Sequence, residues 1–393
     1  MPFMADHLVI KPSLVVETGM KLLRRERILG AMVTDQGVSN WGGSVGDTIT
    51  IRVPGIMRAN QRGIRDTDRT LVENTIVEYP IPVTIDKHLY QAVPMKDEQL
   101  TLDIREWTRQ VLYPMVQSIG ELNEQNLANL IEGAPYTETI VIDPSDTFKA
   151  FSTAVQRLSE TNVPMAGRVL VVGSAVATAL RNDTQFRHAD FSGDLANSAL
   201  RDAWVSRIAG MNVIESQWIS QDSAYIFHPT AFLVAYQSPL VPRGVAYGDS
   251  ASVDGIALRF LADYNYSGLN DRYVLDTYAG YNVISDPDQG FVRSIKLRLA
   301  MTGGINVVSA GGGAVALTVG QTLQLKIRDD NGALITDRCT FVSGTPAKAT
   351  VTAGPGYENG GLVTAVAAGT SAITVTYAGP SGAKTTTVNV TVS

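Results

Sequence analysis

The chain carries a single cysteine, Cys339, in 393 residues, and only four histidines. One thiol excludes an internal disulfide framework and a zinc knuckle, and it points to synthesis in a reducing cytoplasm. His188 and His228 have no partner histidine at metal-ligand spacing, so they read as structural. No apolar run approaches the roughly 18 residues of a membrane span. The opening Met1-Pro2-Phe3-Met4-Ala5-Asp6-His7 lacks a basic start followed by an apolar segment, so no signal peptide is read, and a secreted adhesin is disfavoured. Basic charge is lacking too. The formal net charge is −6, which gives no electrostatic grip on nucleic acid or anionic membrane.

Catalytic signatures are equally scarce. There is no phosphate loop, no dinucleotide fingerprint, no H-E-x-x-H and no G-x-S-x-G elbow. Asp286-Pro287-Asp288-Gln289-Gly290 lacks the closing glutamate of a calcium loop and reads as a turn. Asp329-Asp330-Asn331-Gly332 reads as a hairpin turn, and Cys339 as a buried small hydrophobe. The expectation is no catalytic residue, no cofactor and no metal.

What is present centres on Gly46 to His88. The ascending arm, Asp47 to Pro54, alternates β-branched and polar residues at period two and stops at Pro54-Gly55. The descending arm, Thr75 to Asp86, is extended, and Pro80 and Pro82 exclude a helix and fit only an edge strand. Between the arms lie Arg58, Arg62, Arg65, Asp66, Asp68 and Arg69, with few large apolar side chains. Two readings stand for this loop: a solvated connection, or an arm ordered by a neighbouring subunit whose charges pair with its own. On the loop alone they weigh equally.

The rest reads as mixed α and β. Residues 13–33 have helical spacing with weak points at Gly19 and Gly30, and Ser13 is a candidate cap; this helix packs on its own body or on a neighbour. Trp41 reads as an anchor at the base of the loop. The longest helical pattern runs over 97–132 through Leu100, Ile104, Trp107, Val111, Met115, Ile119 and Leu122, then Leu127, Leu130 and Ile131. Pro114 inside it predicts a kink or a broken hydrogen bond. A helix after Ser145 should bury Phe148, Phe151, Val155 and Leu158. Arg168 to Gly173 reads as a buried strand, with Ser174 capping a short helix. Ala203 to Ile208 ends a helix at Gly210, before a strand at Asn212 to Ser216. Helices and strands do not alternate in a βαβ rhythm. After Gly303 the composition shifts: from Asn306 onward there are five basic and four acidic residues, so the preceding part carries all of the negative excess. Short Val/Thr/Ala-rich strands separated by turns predict a β-sandwich there.

Two resemblances follow from these residues. Val45 to Pro54 after an N-terminal helix, and later Arg207 to Ser216 followed by Phe227 to Phe232, are similar in order and spacing to major capsid proteins of tailed bacteriophages with the Hong Kong 97-type fold. Gly361 to Val375 resembles the signature of bacterial immunoglobulin-like group 2 domains. The first resemblance implies an α+β shell subunit with an N-terminal arm (1–45), an extended loop (46–90), and peripheral and axial domains with a spine helix (91–303). The second implies an all-β immunoglobulin-like sandwich (304–393). Together they imply a non-enzymatic protein of the virion, assembled in the host cytoplasm. Its hexamers and pentamers would close an icosahedral shell around double-stranded DNA without reading its sequence. Portal, scaffolding and cement proteins are the implied partners, and the sandwich would decorate the exterior, with weak binding to bacterial surfaces or glycans. The chain opens directly on the arm, so two alternatives stand: a separate scaffolding protein, or processing of a longer precursor. Some members of this family weld subunits through a loop lysine. Between Asp47 and Asp86 there is none, which predicts a non-covalent shell. The alternatives are a surface or tail adhesin and an encapsulin-like compartment shell.

Overall fold

Val15, Val16, Met20 and Leu23 give the first helix, α1 (Pro12–Glu26), one buried face. The computed structural model describes residues 12–26, 28–36, 48–54, 59–61, 64, 73–76, 78–96, 107–183, 207–245, 247–253, 256–265, 267–286, 290–301, 303–308, 314–354, 360–379 and 382–393. Helix α1 begins at Pro12, a residue suited to a first turn, so Ser13 lies inside the helix and is not its cap. A turn then leads to β1 (Thr34–Gln36), and after it come β2 (Thr48–Pro54), β3 (Glu78–Thr84) and β4 (Lys87–Lys96). Trp41 lies outside the described residues.

Helix α2 (Tyr113–Glu132) follows a π-helical turn over Thr108–Leu112. Pro114 explains that turn. Its ring would clash with the carbonyl four residues back in an α-helix and it brings no N–H. The wider π turn, closed by Tyr113 N–H donating to Thr108 O, lets the chain pass the proline at the start of α2.

The chain continues through β5 (Thr139–Ile142), α3 (Thr147–Glu160), β6 (Val169–Val172), α4 (Ser174–Asn182), β7 (Arg207–Ile208), β8 (Met211–Glu215) and β9 (Ser223–Phe227). Three expectations are corrected here. On α3 the buried face is Thr147, Ala150, Phe151, Ala154 and Leu158, while Phe148 is 38% exposed. Ser174 is the first residue of α4 and makes no cap, because the carbonyl of Gln221 already accepts from Ala175 N (3.0 Å) and Val176 N (3.3 Å). Residues 207–216 form a tight hairpin in place of a helix end, with φ +48° at Ala209 and +83° at Gly210, the double positive φ of a type I′ turn.

Strands β10 (Phe232–Gln237), β11 (Tyr247–Val253), β12 (Ile256–Asn265) and β13 (Asn270–Val283) come next. Then follow β14 (Ser294–Leu299), β15 (Asn306–Val307), β16 (Ala314–Leu317), β17 (Thr322–Gln324), β18 (Ile327–Arg328), β19 (Cys339–Ser343), β20 (Ala349–Val351), β21 (Leu362–Ala365), β22 (Gly369–Gly379) and β23 (Gly382–Val392).

These elements form two compact units, Met1–Pro135 with Pro229–Arg293, and Tyr136–His228 with Ser294–Ser393. In the first, β13 is the axis of a sheet. Residues 270–279 pair antiparallel with β4 on one edge; on the other, 270–276 pair with β12 and 278–283 with β10. Strand β11 extends the sheet past β12, and β1 runs parallel to β10. Helix α1 packs on α2, β11 and β12, so its apolar face is covered by its own chain.

The second unit holds a six-stranded sheet in the order β5-β14-β9-β6-β8-β7, with β9 buried along its whole length. Among its described residues the C-terminal part is strand and turn apart from a short 3-10 helix at Thr336–Arg338: one sheet ordered β16-β23-β22-β19, another ordered β17-β21-β20, and the short pair β15-β18. Alternate residues of the long β22–β23 hairpin are buried (Ile373, Val375, Tyr377; Val388, Val390, Val392), as a half-buried antiparallel ribbon requires. Cys339 is fully buried among them. Burial pushes its thiol up to about 12, so it behaves as an apolar side chain. Gly361 sits at φ +82°, and a Cβ there would fall 2.8 Å from the Phe341 ring, so β19 packs directly over the entry to β21. Among the described residues no helix is long and apolar enough to cross a membrane.

Candidate assembly interface

Strands β2 and β3 pair antiparallel over seven residues, from Thr48 opposite Thr84 to Pro54 opposite Glu78. The two prolines fix which residues carry the ladder. Pro80 and Pro82 have no N–H, so the bonds across the ribbon fall to Tyr79, Ile81 and Val83 with Val53, Ile51 and Ile49. Residues 80, 82 and 84 therefore turn their backbone polar groups to the outer edge of β3. There the Pro82 carbonyl accepts from Asn282 Nδ2 at 2.5 Å, and a Cβ on Gly280 would fall 2.5 Å from Thr84 O. Only glycine lets the hairpin base lie that close to β13. Val83 is fully buried against Leu233 and Ala235, and fixes the ribbon to the sheet.

By the same alternation Thr48, Thr50 and Arg52 turn their backbone groups to the outer edge of β2. Among the described residues no strand pairs with that edge. Further out, Asn60 Nδ2 donates to Asn74 Oδ1 at 3.3 Å, which holds the two sides of the loop together. Every residue described between the strands is exposed; Ile64 is completely so and Ile76 is 69% exposed. Arg58, Arg62, Arg65, Asp66, Asp68 and Arg69 lie outside the described residues.

The root of the hairpin holds a buried ion cluster that periodicity does not reveal. Asp276 of β13, 1% exposed, accepts from Arg259 of β12 through Nε (2.9 Å) and Nη2 (2.5 Å), and bonds His88 Nε2 of β4 at 2.9 Å. Tyr278 meets the His88 ring edge-on with centroids 5.0 Å apart. Three adjacent strands are thus tied at one carboxylate. Among the described residues no group of three or more His, Cys, Asp or Glu is placed to hold a metal ion. The arrangement supplies rigidity to the base of a two-stranded arm, one edge of which pairs with no strand among the described residues.

The sequence profile described as phage capsid protein matches residues 78–294. The chain belongs to the phage capsid protein family. It is a capsid protein, a structural component of the phage virion, in a family that is structural and not enzymatic. A solved structure from Mycobacterium phage Che8 superposes with a TM-score of 0.50 at 17% identity, covering 69% of this chain and 90% of that one. The capsid structure of the cyanophage P-SCSP1u gives a TM-score of 0.50 at 14% identity, covering 76% and 93%. Both likenesses concern the fold. No curated protein matches the sequence.

The matched region begins at the first residue of β3 and ends at the first of β14. Inside it, α2 is the longest helix described in this capsid protein, and its buried side departs from the expected apolar stripe. Leu122 is 40% exposed, and Asn123 and Glu124 are buried in its place. Asn123 Oδ1 accepts from Tyr236 Oη (2.8 Å) and Tyr281 Oη (2.7 Å). Glu124 accepts three backbone N–H groups beyond α1: Ile28 (3.2 Å), Leu29 (2.7 Å) and Gly30 (3.1 Å). A signal for them exists. Met115, Ile119, Leu127 and Ile131 step by four, and the missing member of that row is residue 123.

Proposed function

We propose that this capsid protein is the major shell subunit of a tailed phage, with the Hong Kong 97-type arrangement, and that the β2–β3 hairpin is its extended loop. The observation that carries the reading is the family match over 78–294, which starts on the descending strand of that hairpin. In this reading residues 1–45 are an N-terminal arm, 46–90 the loop, 91–303 the peripheral and axial domains with α2 in the spine, and 304–393 an immunoglobulin-like sandwich on the shell exterior. Subunits assemble in the host cytoplasm as hexamers and pentamers around double-stranded DNA, with portal and scaffolding proteins and a cement protein as partners. The sandwich is a candidate for weak contacts with bacterial surface glycans.

The arm grips a neighbouring copy in two ways. Its tip offers Arg58, Arg62, Arg65 and Arg69 with Asp66 and Asp68, and each charged pair contributes little alone but gains from multivalency around a closed shell. Its stem offers the outer edge of β2 for an added strand, while prolines close the outer edge of β3. With no lysine between Asp47 and Asp86, the grip is non-covalent. Electron microscopy of the overexpressed protein, alone and with its genomic neighbours, tests this. Regular icosahedral shells with surface knobs are expected, and only irregular aggregates or free monomer would overturn it. Boiling the particles in detergent should release single subunits, and a covalent ladder on the gel would refute the non-covalent grip.

A further inference from the structure

The second unit contains a charge cluster that the shell reading does not use. Asp222, just before β9, is 2% exposed. Its Oδ2 accepts from Tyr377 Oη at 2.8 Å and from Arg298 Nη2 at 3.1 Å, while its Oδ1 accepts from Arg338 Nη1 and from Ser223 Oγ at 3.2 Å. Arg298 also donates to Tyr377 Oη, with its guanidinium 5.5 Å from the ring centroid. Arg338 Nη2 donates to Ser223 Oγ at 3.2 Å. Two further bonds flank the cluster, Leu334 N to Gln221 Oε1 (2.8 Å) and Asn331 Nδ2 to Ala300 O (3.0 Å).

These groups come from two parts of the chain. Asp222, Ser223 and Arg298 belong to the six-stranded sheet and its approaches, whereas Arg338, ending the 3-10 helix before β19, and Tyr377 of β22 belong to the strand-rich C-terminal part. Neither part satisfies the cluster by itself. Without Arg338 and Tyr377, Asp222 would keep one arginine and its neighbouring serine. An isolated buried carboxylate is strongly unfavourable, and removing one partner of a buried pair destabilises far more than breaking an exposed pair. A module swinging on a tether would keep its charges in water, since burying them at a movable junction is costly.

We infer that the C-terminal strands are a brace for the six-stranded sheet, folded as one piece with it through Asp222 and held in a fixed pose. This goes beyond an exterior decoration, and it holds whether or not the shell reading does, because it concerns the single subunit. The test uses the full-length chain. Arg338→Gln and Tyr377→Phe are compared with Arg157→Gln, which breaks an exposed ion pair on α3. Thermal melting and amide hydrogen exchange resolved by segment are recorded for each. Arg338→Gln is expected to lower Tm by roughly 5–10 °C. Both cluster variants are expected to speed exchange in β9 and β14 about tenfold, although the altered residue lies far along the chain. Arg157→Gln should change neither. If the faster exchange stays within β19 and β22, or if Tm falls no further than in Arg157→Gln, the brace is refuted. Tyr377→Phe removes one hydroxyl only, so the exchange measurement remains available if Arg338→Gln does not fold.

Discussion

The β2–β3 hairpin and the Asp222 cluster are both polar and built on strands, yet they dispose of their polar groups in opposite ways. Around Asp222, both carboxylate oxygens are used within the same chain, and the carboxylate is out of water. Along β2, the backbone groups of alternate residues face an edge with no strand on it among the described residues, and Val83 is the single residue of β3 that is buried. A two-stranded ribbon is marginal by itself in water. Hydrogen bonds closed within the chain make its fold, whereas an unpaired strand edge is a surface on which another strand can add. The comparison is informative because it can be broken from either side.

The largest effect is expected where a buried carboxylate closes backbone groups, at Glu124, which accepts from three N–H groups. Glu124→Ala would leave the N–H groups of Leu29 and Gly30 buried without their acceptor, at about 1–3 kcal/mol each. Urea unfolding should show a loss of at least ~2 kcal/mol, together with early proteolysis after α1. An unchanged midpoint would mean that the turn after α1 is not held from α2.

The next effect lies at the base of the hairpin. Gly280→Ala would place a methyl group against the Thr84 carbonyl, and overpacking of this kind costs about 1–3 kcal/mol. The hairpin base must shift, so shell formation should suffer more than the modest fall in Tm suggests. Normal shells from this variant would separate the arm's seating from assembly.

Acid sharpens the closed side further. Burial works against the Asp222 charge, but Arg338 and Arg298 outweigh it and hold its pKa below the usual aspartate range. Its contribution is present above the unfolded value of about 4 and is lost as pH falls through the lower folded value. Asp329, in the same unit, has its pKa raised, chiefly by burial. Its sign is reversed: it favours the folded chain where protonated, and that contribution is lost as pH rises through the raised value. Tm measured from acid to neutral pH should therefore have a shallower acid slope in Asp222→Asn and not in Asp329→Asn. Identical profiles would show that the arginines do not govern Asp222.

Much of the open side is legible in the sequence, because it is local. Period-two alternation and paired prolines occupy adjacent residues, and the strands after residue 314 announce themselves by composition and turns. The closed side is not legible, because its partners are remote. Asn123 is buried to meet Tyr236 and Tyr281, and Glu124 to meet residues 28–30, and no window around 123 contains either. Asp222 likewise needs Arg338 and Tyr377. The 207–216 hairpin was hidden for a different reason: a positive φ at Ala209 is imposed by its surroundings and no side chain signals it.

The smallest effect on stability should come from the most radical surface change. Replacing Arg58, Arg62, Arg65 and Arg69 together by alanine removes charges from a segment whose described neighbours are all exposed. Surface substitutions of this kind stay within about 0.5 kcal/mol each, so Tm should move by only a few degrees at most. Under the proposed grip, shell assembly should nevertheless fail, because the missing charges would pair with a neighbouring copy. A large fall in Tm would move the tip to the closed side of the comparison. Normal shells with an unchanged Tm would remove the arginines from the interface and leave the open edge of β2 as the remaining grip. Stability and assembly thus report on different residues, and the two measurements on one variant decide which side of the molecule the tip belongs to.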